Sequence, residues 1–476
     1  MAKEPVVRRM SIKIEVQHWE WTRSSSRATQ IYDFTSLAIS YNWQKSIKTP
    51  MGGCTINFLP QLADKSLIEL IDPLDIVRIS EFGTVKFVGY VRKVSFTGTM
   101  SPDGKPTRVV SLTATAMGGI FQEAQLGLNL FLLQKNLDYQ NAATSMSTAI
   151  ADSCKSTSNK IGVIIKAIID QWLSFVGKVS VTTAYPSWFS QHIDYSAGLQ
   201  NTDVPGLPRE FRAFTGAEES LTLWQMLQKF GEVPFYEMWF DNGPRKVSIN
   251  GSDVTFTDDK TYLIIRPTPF NGTVKSGSVG TAFDSLPLKT VPLTHLTKYD
   301  LNKSMEEVYS FYIVHPSVFD LQERYLVASG LASKDDDKIA KYLYKPLQMQ
   351  LFYMRLGDPA KNAGLVPEGA QDLYDNTKDA ADSLKNWFSK SDVHLSGAIL
   401  MMVPKTPEND ILIGDKIEIE GIKGSFYVES VAHSWKYQGT LTSNLNITRG
   451  LDGENQIDLA NKIFKTMKQG KIGGGL

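Results

Sequence analysis

The sequence predicts an α+β protein: two similar antiparallel β units, each a barrel or sandwich, with helical and mixed α/β segments between them. Three observations lead there. Residues 411–450 alternate apolar and polar side chains in three short runs, 416–420, 426–437 and 441–448, broken by Gly421, Gly424 and Gly439. Period-two alternation bounded by glycine marks half-buried antiparallel strands. The pattern recurs near the other end, where Leu74, Asp75, Ile76, Val77, Arg78 and Ile79 read like Gly414, Asp415, Lys416, Ile417, Glu418 and Ile419. Between the two stretches the apolar spacing becomes helical.

In the later copy, Val431, His433, Trp435 and Tyr437 share a face of the second strand, and Leu445 and Ile447 share one in the third. The earlier copy offers residues 87–96 for the second strand and Leu112 with Ala114 for the third. Its turn at Ser101, Pro102, Asp103 and Gly104 has strong turn chemistry. Two copies are a duplication, not a solenoid of short repeats.

Taken in order, residues 1–120 read as five or six short strands forming the first β unit, with a polar loop at 23–29 and a turn at 49–53. Residues 121–210 read as a helical insertion ending in a Pro, Gly, Ser and Asn-rich loop. Residues 211–390 read as a mixed α+β region. There Thr215 and Glu218 match a capping box, and Leu221, Trp224, Leu227 and Phe230 follow at helical spacing. Asp241, Asn242 and Gly243 predict a hairpin turn between strands 235–240 and 246–250. A helix turn is expected at 301–307, a strand at 308–314 and a helix at 331–341. The second β unit spans 391–452. A C-terminal amphipathic helix and Gly-rich tail fill 453–476.

With 476 residues there is room for about three domains and a large core. Lys plus Arg equal Asp plus Glu at 50 each, which argues against a chain built to grip nucleic acid through its phosphates. The only two cysteines, Cys54 and Cys154, form no CxxC pair or disulfide framework, as expected in a reducing cytoplasm. No signal core precedes the first alternating segment, and the apolar run 161–176 is too short to span a bilayer.

Motifs for chemistry are sparse. The six histidines (His18, His192, His295, His315, His394 and His433) make neither an HxH nor an HExxH spacing, so no metal or cofactor is expected. No G-x-S-x-G elbow or P-loop occurs. Asp335, Asp336 and Asp337 read as a solvated helix start. Glu123 and Asp170 could serve a cell-wall hydrolase, but nothing in the sequence pairs them. Trp172, Trp188 and Phe189 could stack on a glycan, although core packing explains such aromatics better. No enzyme is expected. The C-terminal helix carries an apolar stripe that must bury on the chain's own body or on a partner. Ile457, Phe464 and Met467, with Lys462 and Lys465 on another face, are the partner-interface candidates.

Several segments, in their order, carry a family resemblance. They are LTLWQMLQKFGEVPFYEMWFD, YLIIRP, THLTKYDLNKSMEEVYSFYIV, KYLYKPLQMQ and the whole of 412–450. Over most of 210–450 the chain resembles the baseplate hub proteins of phage tails: the T-even-type hub, the late-control protein and the front of VgrG spikes. The resemblance implies two tube-like β-barrels per chain and a homotrimer presenting six barrels to the tail tube. It implies a role as adaptor to a threefold central spike, with no catalytic residues. A tail tube protein, a separate spike and other baseplate proteins would be partners. A tape-measure protein, DNA or effector would pass through the channel. The implied place is the tail baseplate of a virion assembled in bacterial cytoplasm. The alternative is a tail-associated cell-wall hydrolase or glycan-binding module. Unlike VgrG, the sequence given has no needle-forming repeats after the hub.

Overall fold

A computed structural model describes residues 11–124, 161–198, 222–316, 332–351 and 395–451, with short gaps at 22–25, 63–64, 101–105, 180–183, 231–235, 250–251, 268, 270–285, 405–409 and 423; residues 381, 384, 385 and 388 are also described. The fold is α+β and mainly antiparallel β. The first β unit comprises β1 (Ile12–Trp21), β2 (Ser26–Asp33), β3 (Ala38–Ser46), β4 (Gly53–Phe58), the small β5 (Gln61–Leu62) and β6 (Lys65–Ser66), β7 (Ile76–Glu81), β8 (Thr84–Met100) and β9 (Pro106–Ala116). The helices are α1 (Gly119–Glu123), α2 (Ile161–Val179), α3 (Ala184–His192) and α4 (Leu223–Phe230). A mixed segment holds β10 (Ile193–Asp194), β11 (Tyr236–Asn242), β12 (Arg245–Ile249), β13 (Ser252–Phe256) and β14 (Thr261–Pro267). Next come β15 (Leu288–Val291), β16 (Leu296–Asn302), β17 (Phe311–Pro316), β18 (Ser333–Lys334), α5 (Asp336–Tyr342) and β19 (Pro346–Leu351). The chain then forms β20 (Leu395–Met402), β21 (Lys416–Ile419), β22 (Ser425–Lys436) and β23 (Thr442–Leu451).

The two β units are joined rather than separate. A 13-stranded sheet runs β16-β20-β23-β22-β3-β4-β9-β8-β7-β1-β2, with β15 and β21 attached beside β22. Strand order within it repeats: β3-β4-β9-β8-β7 in the first unit matches β16-β20-β23-β22-β21 in the second. The duplication extends to single atoms. Leu74 and Gly414 both have positive φ, and their N–H groups donate to the carbonyls of Val91 and Val428, each at 2.9 Å. The Asp75 and Asp415 carboxylates each accept from the backbone N–H three residues earlier at 2.8 Å. Bulges fall at Arg92 and Glu429, and again at Ile39 and Thr297. Each extra residue locally bends and twists its strand.

The second unit draws β15 and β16 from upstream, and residues 303–394 run between β16 and β20 where the first unit has only residues 47–52 between β3 and β4. The expected helix turn at 301–307 is instead the end of β16 followed by a bend. Leu301 lies in the ladder opposite Gly397, and Asn302 opposite Ser396 completes it. The expected hairpin at Asp241–Gly243 does not form either: β11 pairs with β14, and β12 pairs with β13. Pro244 has no N–H to continue a ladder, and the Asp241 and Asn242 side chains are drawn into a buried ion cluster.

Two apolar cores result. One gathers Ile14, Trp43, Phe58, Val91, Ile399, Val428 and Leu445 among others from the joined sheet. The other gathers Phe121, Ile165, Trp172, Trp188, Trp224 and Tyr312. β11 lies between them, with Trp239 in the first and Met238 and Phe240 in the second. All seven of its residues are therefore buried, as expected of a strand covered on both faces. No helix among the described residues is long and apolar enough to cross a membrane.

Candidate assembly interface

The junction between the units is the antiparallel pairing of β22 with β3. Ser430 lies opposite Ser46, His433 opposite Trp43 and Lys436 opposite Ser40. Ile47 N–H donates to the Glu429 carbonyl at 2.9 Å and Tyr437 N–H to that of Ile39 at 2.7 Å, extending the ladder at both ends. Beneath it sits Glu81, at the end of β7 and fully buried. Its carboxylate accepts from Tyr41 O–H (2.9 Å) and Trp43 Nε1–H (2.9 Å), and bonds His433 Nδ1 at 2.6 Å. The Trp43 and His433 rings lie 4.3 Å apart.

Burial alone would push the Glu81 carboxyl up. The His433 charge and the hydrogen bonds from His433, Trp43 and Tyr41 outweigh it and hold the group below its usual range. Burial, followed by the Glu81 charge, pushes the Cys54 thiol up, so it acts as a small apolar core residue.

A second ionic layer ties the middle strands to both units. Lys45 Nζ donates to Asp241 Oδ1 at 3.0 Å and to Asn242 Oδ1. Arg245 pairs with Asp241 and donates to the Ile413 carbonyl at 2.9 Å. Lys86 of β8 pairs with Asp410 of the second unit. Arg266 of β14 meets Glu237 at 2.5 Å, the Gly414 carbonyl at 2.9 Å and the Tyr427 hydroxyl at 3.2 Å. Desolvation pushes the Lys45 amine well below its ordinary value and brings Arg245 down to about 10. For Arg266 the Glu237 charge overcomes burial and raises the guanidinium. Such pairs fix which surfaces meet, while their desolvation cancels much of the Coulomb gain.

The partner-interface candidates Ile457, Lys462, Phe464, Lys465 and Met467 lie outside the described residues, as do Cys154 and the Thr215 capping box. Glu123 accepts from Tyr90 O–H at 2.8 Å and pairs with Arg92. Asp170 instead bonds Lys166 and Tyr195, each at 2.6 Å, so the two carboxylates belong to separate local networks. Trp172, Trp188 and Phe189 are core residues with no face free for a sugar. Asp335 caps α5 by accepting from Lys338 N–H. Among the described residues no group of three or more His, Cys, Asp or Glu could hold a metal ion. Sequence reasoning missed Glu81. Its signal was a carboxylate continuing the inward row Val77 and Ile79, where a charge needs partners.

No family model matches the chain, and no curated protein does. Among solved structures it is similar to a tail protein from Neisseria meningitidis at 10% identity and a TM-score of 0.44, covering 92% of this chain and 96% of that one. It is also similar to the 43 kDa tail protein of prophage MuSo2 from Shewanella oneidensis, at 10% identity and a TM-score of 0.45, covering 92% and 98%. A third is an E. coli component of the type VI secretion system, described as structurally similar to the T4 tail proteins gp27 and gp5. There the identity is 7% and the TM-score 0.37, over 87% of this chain and 74% of that one.

Proposed function

We propose that the chain is a structural hub of a phage tail or phage-derived injection machine, a homotrimer closed into a ring of six β units around a channel. The observation that carries the reading is the lateral repeat: one chain places two equivalent units side by side in one sheet. Three such chains present six near-equivalent units on a threefold frame, the arrangement needed between a sixfold tube and a threefold spike. Ring closure also removes open strand edges, which otherwise invite aggregation. The partners are then a tail tube protein, a separate central spike and other baseplate proteins. DNA or a protein such as a tape measure is transiting cargo. Equal numbers of basic and acidic residues suit a channel that passes nucleic acid without holding it.

Light scattering on the purified chain, with negative-stain imaging of the same sample, tests this reading. The expected result is a mass near three times 53.1 kDa and threefold rings with an open centre. Monomers without rings at every concentration would overturn it.

A further inference from the structure

The sheet contains one completed junction and both halves of a second. In the second unit, one edge of β22 is shared: it pairs with β21 up to Val428 and, past the bulge at Glu429, with β3 of the first unit. In the first unit the same edge of β8 pairs with β7 up to the Leu74–Val91 bond, and the matching bulge falls at Arg92. Past that bulge, residues 93–100 form no ladder on this edge among the described residues. At the other end of the sheet, β16 is the counterpart of β3. Among the described residues it pairs only with β20, and none of them forms a ladder on the edge that β3 gives to β22.

Large apolar side chains are exposed at both open edges. Phe96 and Met100 on β8 are 48% and 70% exposed, and Tyr299 and Met305 at β16 are 55% and 57% exposed. The repeat also sets the register. The bulges and cross-strand partners place Val428 on Val91 and Tyr299 on Tyr41. The pair His433 and Trp43 then becomes Phe96 and Leu301, Ser434 and Asn42 become Thr97 and Asp300, and Trp435 and Tyr41 become Gly98 and Tyr299. A Cβ at Gly98 would meet nothing within 4 Å, leaving room for the Tyr299 ring. At the second junction Gly421 stands where the first has Glu81, so that position supplies no carboxylate. Folded copies would therefore join there without desolvating an ion pair like that of Glu81 and His433.

We propose that residues 93–100 of one copy pair antiparallel with residues 296–304 of a second copy, Phe96 opposite Leu301 and Thr97 opposite Asp300. The proposal rests on the hub reading and names the edges through which its ring closes. The contact is heterologous, using a different patch on each copy, and such a contact generates a closed ring where the rotation between copies completes a full turn.

The test is the double variant Thr97→Cys with Asp300→Cys in the full chain. Both residues are exposed, and in the transferred register they form a pair without mutual hydrogen bonds. Such pairs have Cα atoms about 4.5 Å apart, within disulfide reach. Within one chain six strands separate β8 from β16, so a bond must join copies. Mild oxidation should give covalent dimers and trimers from the double variant. Each single variant and the unsubstituted chain, with its own two cysteines, should give none. Phe96→Asp should weaken assembly at least about tenfold while leaving the circular dichroism unchanged, as expected of a central apolar contact. Trimers that neither crosslink nor respond to Phe96→Asp would overturn this seam and leave the hub reading standing. Monomers without crosslinks would overturn both, and crosslinking by either single variant in a chain with Cys54 and Cys154 replaced by serine would show a different, isologous contact.

Discussion

Glu81 sets the energetics of the junction at the scale of single residues. Glu81→Leu strands the Trp43 N–H, the Tyr41 O–H and the His433 ring in an apolar interior. Breaking a buried charged network from one side costs about 3–5 kcal/mol, and urea unfolding at neutral pH should show a loss of that order. Because the Glu81 carboxyl is held below its unfolded range, its contribution is present above the ordinary carboxylate pKa and is lost as pH falls through the lowered value. His192 has a separate acid response. Burial first, then the Arg78 and Lys260 charges, lowers its pKa from 6.5 to about 4. Between those values the unfolded chain binds the proton and the folded chain does not, so stability falls as pH drops from 6.5 toward 4. The full effect is on the order of 3 kcal/mol. His192→Phe should flatten that slope in urea titrations at pH 7 and pH 5, and an unchanged slope would refute the assignment. In principle Glu81 was legible as a misplaced charge on an inward row, although sequence reasoning passed over it. Its partner His433, 352 residues away, was not, because alternation assigns a residue to a face without naming what it meets across the sheet.

Among the elements, the strands of the repeat were legible wherever one face is buried, as in β4, whose inward residues alternate strictly, and in β7 from Val77 onward. β16 was not, because LTKYDLN is exposed or half-exposed along its whole length and has no inward row to read. What holds β16 in place is its antiparallel ladder to β20, which Gly397 lets approach closely. A Cβ on Gly397 of β20 would lie 1.9 Å from the Asp300 carbonyl oxygen. Gly397→Ala must therefore push β16 away from β20, at a cost of about 1–3 kcal/mol for forced backbone displacement. The expected outcome is faster amide exchange along 296–302 with little change in β4 and β9. Uniform exchange across both units would mean that β16 is not a separate weak element. The Asp241–Gly243 turn misled for a related reason. Its local chemistry favours a hairpin, but its side chains are worth more as acceptors for Lys45 and Arg245, a tertiary demand invisible in a window of a few residues.

For the whole molecule, the joined sheet and shared core decide how the chain unfolds. Two units connected by a linker would melt as two domains. Here one apolar core takes side chains from both, Trp43 and Phe58 from one and Ile399 and Leu445 from the other, and β11 packs against that core and its neighbour. Ion pairs Lys86 to Asp410 and Lys45 to Asp241 cross the same boundaries. Separating the units would expose that core and leave buried charges unpaired, so neither unit has a low-energy state without the other. The described body should therefore unfold in one transition, with tryptophan fluorescence and far-ultraviolet circular dichroism coinciding across a urea series. Glu81→Leu should move the midpoint of both signals together. Separate midpoints, or a variant that shifts only one signal, would mean that the two units are independent domains. In that case the β22 to β3 ladder would be a weak contact, with no claim to be the template for a seam between copies.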